Sequence, residues 1–155
     1  MSNHATITPA IVEMLYEDAL HLAEEARDVF EQQDMRRPVD EEESMLRIAM
    51  SCEALRVTTR MMHAIAWLLN HRAYFSGEMT EFQLRRHGRL PPPQPDSDPH
   101  QLAMMDLYTR DLIDRTKKLY ARIQRLDTAW REHFAMQPAA VHRLRQRLGD
   151  AFAVQ

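Results

Sequence analysis

Cysteine is almost absent from this chain: Cys52 is the only one in 155 residues. No internal disulfide can therefore form, and a cysteine-based zinc cluster cannot be built. Glycine is nearly as scarce, with three residues, and no glycine-rich phosphate loop occurs. No grouping of serine, histidine and acid sits on a recognisable nucleophile elbow. Long hydrophobic runs are missing too, since the longest uncharged stretch, MMHAIAWLLNH, falls well short of the roughly 20 residues needed to span a bilayer. The start, MSNHATITPA, carries neither a cationic n-region nor an apolar h-region, so a cytoplasmic location is expected. A formal net charge of −3 gives no reason to expect a nucleic-acid or membrane partner. No segment has strand-like alternation, and no internal repeat is visible. The expectation is a protein without cofactor or metal, and not an enzyme.

What the sequence does have is helical periodicity over long distances. Punctuation is confined to Pro38, Gly77, Gly88, the run PPPQPDSDP and Pro138. The first helix should open with Thr8 as N-cap and Pro9 at its first position. Ile11, Leu15, Ala19, Leu22, Ala26 and Val29 then recur on one face, and the helix should end near Gln33. A second should open at Asp40, with Glu43 closing a capping box and Glu41 and Glu42 favouring the same end of the helix dipole. It should run to about Phe75, with Gly77 taking the left-handed conformation just beyond it. After a short segment from Thr80 to His87, the prolines of residues 89–98 predict a mobile loop. A third helix is expected from Asp98 and Pro99, on a heptad-like seam of Leu102, Met105, Leu112, Leu119, Ile123, Leu126 and Trp130, with Thr109 and Thr116 filling its gaps. The fold class that follows is all-α, a bundle of three long helices with short additional ones, forming one domain over residues 1–137. Residues 138–155 form a C-terminal amphipathic helix or tail.

The second helix carries an apparent contradiction. From Met61 to Leu69 it is apolar on nearly every side, yet Glu53, Arg56 and Arg60 share one flank, beside the apolar stripe Val57, Met61, Ala64 and Leu68. Two arginines can hold the glutamate between them, and such a set fixes helix register more than it adds stability. A lone carboxylate held by guanidinium groups is a poor proton carrier at neutral pH, so the triad reads as a structural network. The all-round apolar stretch asks for more covering than two neighbouring helices give, which predicts a homodimer.

Three runs, ALHLAEEARDVF, MSCEALRVTTRMMHAIAWLLNHRAYFSGEMT and LYTRDLIDRTKKLYARIQRLDTAW, resemble the RcdA family, the alphaproteobacterial regulators of CtrA degradation. The resemblance extends from about Ile11 to Trp130. Its most specific part is SCE-x-LR-x-TTR-x-M with AWLL behind it. It implies a small three-helix bundle, reported as a dimer, that acts as a non-enzymatic adaptor. Such an adaptor delivers cell-cycle regulators, including a CtrA-like response regulator, to the ClpXP protease, together with other adaptors.

Other groups invite functional readings of their own. Asp18, His21 and Glu24 look like half of a di-metal carboxylate motif, but the second half is missing. His63 lies in an apolar run and reads as a core histidine with one hydrogen bond, and Cys52 as a buried small hydrophobe. Arg110, Arg115, Lys117, Lys118, Arg122 and Arg125 make the third helix basic, which supports an alternative reading as a DNA-associated transcriptional accessory protein. No helix-turn-helix pair accompanies them. Met45, Met50, Met61, Met62, Met104 and Met105 lie at or near helical faces, where core filling is the expected role for most. In the last segment Arg143, Arg145 and Arg147 surround a small apolar side of Val141, Leu144 and Leu148. That pattern makes it the candidate partner-binding arm, the alternative being a permanent fourth helix that closes the bundle.

Overall fold

The first helix begins where a side chain can take up its free amides. Thr8 Oγ1 accepts the Ile11 amide at 3.3 Å, and α1 runs Pro9–Gln33. A computed structural model describes residues 6–33, 40–136 and 140–152. Pro38 and Pro138, two of the expected breaks, lie outside the described residues. Asp40, in extended conformation, accepts the Glu43 amide at 2.7 Å and starts α2, Glu41–Phe75. The helix ends at Ser76, followed by Gly77 at φ 83°, a left-handed conformation that a side chain would strain. The segment after Thr80 is itself a helix, α3, Glu81–His87. Thr80 accepts the Gln83 amide at 3.2 Å while Gln83 Oε1 accepts the Thr80 amide at 2.9 Å, a complete capping box.

The third long helix does not begin at Asp98. Asp98 caps only a short α4, Pro99–Ala103, by accepting the His100 amide at 2.8 Å. The chain then turns and restarts under Asp106, whose Oδ1 accepts the Thr109 amide at 2.8 Å, so that α5 is Leu107–Met136. The physical reason is a second cap: hydrogen bonds from Thr109 hold the Asp106 carboxyl below its ordinary pKa and favour the charged form at a helix N-terminus. A last helix, α6, covers Ala140–Phe152.

Among the described residues the secondary structure is six helices and no strand. The three long helices each pack against the other two, with α3 and α4 against α2. The predicted faces point inward. Leu15, Ala19, Leu22 and Ala26 of α1 are buried, as are Val57, Met61, Ala64 and Leu68 of α2 and Leu112, Leu119, Ile123 and Leu126 of α5. Thr109 and Thr116 are buried in the seam of α5 as well. No helix among the described residues is long and apolar enough to cross a membrane.

Candidate functional site

The polar flank of α2 sits at the centre of the bundle. Glu53 is completely buried, and both of its carboxylate oxygens are engaged. Arg56 Nη1 donates to Oε1 at 2.7 Å, and the Ser97 hydroxyl donates to Oε2 at 3.0 Å. Arg60 turns the other way, with Nη1 donating to Thr116 Oγ1 on α5 at 2.9 Å, while the Thr116 hydroxyl donates to the Ile113 carbonyl at 2.7 Å. Burial lowers the Arg60 pKa and the Glu53 charge partly restores it, so Arg60 has a long-range electrostatic tie to Glu53 without a direct bond. The triad thus divides its contacts. Arg56 holds the glutamate, and Arg60 fixes α2 against α5.

A second buried carboxylate, absent from the sequence-based candidates, mirrors the first. Asp127 on α5 accepts from Trp67 Nε1 at 2.9 Å, from the Leu90 amide at 3.3 Å and from Arg131 Nε at 3.2 Å. Arg131 Nη1 continues to the Arg85 carbonyl on α3 at 3.0 Å. Beside this group His71 is sealed in at 1% exposure, its ring 3.9 Å from Trp67 and edge-on to Trp130 at 5.5 Å. Desolvation holds the His71 pKa down at about 4, with Asp127 opposing and Arg131 reinforcing the shift.

Both carboxylates reach the same loop. Residues 89–98, expected to be mobile, are tied to the bundle at Leu90 by Asp127, at Pro91 by the Tyr120 hydroxyl, and at Ser97 by Glu53. Leu90 and Ser97 are themselves buried. Each carboxylate oxygen of Glu53 and Asp127 accepts at least one hydrogen bond from the fold, whereas His71 Nε2 and Arg131 Nη2 beside Asp127 are buried without a partner.

The other candidates fall on the surface or at its margin. Asp18, His21 and Glu24 are exposed, and among the described residues no group of three or more acids, histidines or cysteines could hold a metal ion. Cys52 and His63 are half-buried, and His63 Nδ1 has no hydrogen-bond partner in this structure, so the deeply buried histidine is His71 instead. The basic residues of α5 are partly neutralised. Arg115 forms a forked pair with Glu25 of α1 at 2.8 and 3.2 Å and also bonds Asp111, and Lys118 pairs with Asp114 at 2.9 Å. Met50, Met61 and Met105 fill the core, whereas Met45, Met62 and Met104 are exposed.

Helix α6 is exposed at every position from 143 to 152, including Arg143, Arg145 and Arg147. Leu144 is 60% exposed, Leu148 51% and Phe152 79%, so the apolar side of the helix is left uncovered. The side chain of Val141, the remaining member of the candidate arm, lies outside the described residues.

A family described as protein of unknown function (DUF1465) matches residues 3–152, and the chain belongs to it. No curated protein and no solved structure matches the chain.

Proposed function

We propose that this DUF1465 member is a non-enzymatic adaptor in regulated proteolysis, delivering cell-cycle regulators such as a CtrA-like response regulator to the ClpXP protease. On this reading it works in the cytoplasm as a homodimer alongside other adaptors. The observation that carries the reading is the signature SCEALRVTTRM followed by AWLL, which resembles the RcdA family. The structure supports the division of labour such a protein needs. The polar residues of the signature hold the bundle together, and the surface offers an uncovered amphipathic helix, α6, on which a partner's apolar side chains can close. The DNA-associated reading has less behind it, because Arg115 and Lys118, central to the basic helix, already have carboxylate partners.

The test is a reconstituted degradation assay with ClpXP, a CtrA-like response regulator, the other adaptors and this chain. Faster substrate loss with the full chain than without it is the expected result. An unchanged rate, with the substrate and the other adaptors shown to be competent, overturns the proposal.

A further inference from the structure

Helix α2 has two apolar stripes, and among the described residues only the inward one is covered. The outward stripe repeats every seven residues at Ile48, Leu55, Met62 and Leu69, which are 62, 70, 64 and 44% exposed. Between them, at alternating steps of four and three, lie the small Cys52, Thr59 and Ala66, and Met45, 56% exposed, begins the series. That is the spacing of a coiled-coil seam, in which one position of each heptad is large and the other small. This second stripe explains why the stretch from Met61 to Leu69 is apolar all round: Met61, Ala64, Trp67 and Leu68 face the core, while Met62 and Leu69 face out.

We propose that the outward seam of α2 is the face on which two copies of this chain pair, with their α2 helices antiparallel about a twofold axis at the level of Val57. The proposal takes up the two-copy assembly of the reading above and assigns its surface and orientation.

The alternation of large and small selects the direction. In a parallel pair like meets like: Leu69 faces Leu69 of the other copy and Ala66 faces Ala66, giving crowding in one layer and a gap in the next. In an antiparallel pair each of the three central large positions, Ile48, Leu55 and Met62, meets a small one. Leu55 lies opposite Thr59, Ile48 opposite Ala66, and Met62 opposite Cys52, with Met45 against Leu69 closing both ends. A register shifted by one heptad also alternates sizes, but it leaves the exposed Met45 uncovered in one direction and Leu69 in the other.

Charge agrees with the same direction. The two helix dipoles oppose in this direction. The acidic first turn of one copy, Glu41 to Glu43, comes near the last turn of the other, whose Arg72 is held by Glu13 of its own chain at 2.8 Å, so the opposed dipoles carry the preference. Near the axis the Arg56 side chains approach one another, but each is already neutralised by its own Glu53. The seam from Met45 to Leu69 is about 36 Å long at 1.5 Å per residue. It adjoins an apolar groove of about 490 Å³ between α1 and α2, walled by Phe30, Val57, Met62 and Ile65. Together they offer the length and apolar area for an interface of roughly 800 Å² per copy.

Light scattering and sedimentation of the full chain at micromolar concentration test the pairing. The expected mass is twice the 18.2 kDa of one chain. Leu55→Glu, at a position too exposed to matter to the monomer, should give the single-chain mass with unchanged helical circular dichroism. The native cysteine reports orientation. Antiparallel pairing holds the two Cys52 residues about 15 Å apart along the axis, so the wild type should not cross-link on oxidation, whereas Met62→Cys should form a Cys52-to-residue-62 disulfide between copies. A single-chain mass for the wild type, a dimer that survives Leu55→Glu, a wild-type Cys52–Cys52 disulfide, or a dimeric Met62→Cys variant that does not cross-link would each overturn the assignment. A monomeric wild type whose Leu55→Glu variant loses substrate delivery would give the seam to a partner instead, and that too overturns it. The mass measurement does not depend on delivery, so the adaptor reading stands or falls separately.

Discussion

Glu53→Ala removes the only carboxylate at the centre of the polar flank, and the structure allows its cost to be worked out. Two hydrogen bonds disappear, one from Arg56 at 2.7 Å and one from Ser97 at 3.0 Å. Each bond to a charged group is worth about 1.5–3 kcal/mol. Arg56 is 27% exposed in its side chain and can swing to water, so its share is partly recovered. Arg60 cannot do so: at 4% exposure it keeps its charge in the core and loses the Glu53 field that offsets its burial. The balance is a loss of about 3 kcal/mol, in the range for breaking a buried pair. Glu53→Gln keeps the shape and one acceptor oxygen, so it should cost less than the alanine variant, and Ser97→Ala about 1 kcal/mol. Urea denaturation followed by circular dichroism, at fixed protein concentration because association would add its own term, gives the difference from the midpoints at constant slope. A Glu53→Ala midpoint within about 0.5 kcal/mol of wild type would refute the argument, because a surface substitution costs that much.

Other substitutions examine the remaining parts. His71 has its pKa depressed in the fold, to about 4 from an ordinary 6.5. The unfolded chain therefore binds more protons between those values, and stability from this group is complete above about pH 6.5 and falls by about 3 kcal/mol as pH drops to 4. His71→Gln should lack that component, and parallel pH profiles for the two proteins would contradict the assignment. Asp127→Ala releases Trp67, Arg131 and the Leu90 amide together. A stability loss of about 3 kcal/mol or more and faster proteolytic cutting within residues 89–98 are expected, while a loop cut at the wild-type rate counts against the tether. A Cβ built on Gly88 would lie 2.6 Å from the Leu84 carbonyl oxygen and 2.7 Å from its Cδ1, with Leu84 fully buried. Gly88→Ala should accordingly cost about 2 kcal/mol, and an unchanged urea midpoint would show that the turn relaxes freely. Ending the chain after Gln137 should leave the melting temperature within a degree or two, because every described side chain of α6 from 143 onward is exposed, and should abolish delivery. A fall of several kcal/mol would mean the helix packs on the bundle after all.

Much of the architecture was legible because it is written in local signals. Thr8, Asp40 and Thr80 each stand before a helix that begins where their side chains can accept an amide. The seam of α5 was readable for the same reason, yet its start was misplaced by a short helix. Asp98 and Asp106 are both competent caps, and choosing between them depends on how α4 packs against α2. The phase of α2 also marks its buried polar positions. Extending Val57, Met61, Ala64 and Leu68 by one step in each direction reaches Glu53 and His71, both buried on that face, whereas His63 drew notice only for its apolar neighbours. The tethers of the loop could not be read in this way. Ser97 lies 44 residues from Glu53, and Leu90 lies 37 from Asp127, so nothing local marks them as partners.

The two tethers connect the polar core to the surface. Glu53 belongs to α2 and Asp127 to α5, and each holds one end of the segment 89–98. A segment pinned at both ends to different helices reports their relative register, because sliding α2 along α5 by one turn, about 5.4 Å, would break one tether or the other. Arg60 on Thr116 and Trp67 on Asp127 tie the same two helices directly, at points roughly two turns apart along α2. Apolar contacts are non-directional and discriminate register less sharply than hydrogen bonds do. Displaced buried donors and acceptors lack partners at a cost of about 1–3 kcal/mol each, so the network penalises every alternative register several times over. The residues that resemble a functional signature thus act on the surface indirectly. They fix how α2 is presented, and with it the outward seam that the two-copy assembly would use.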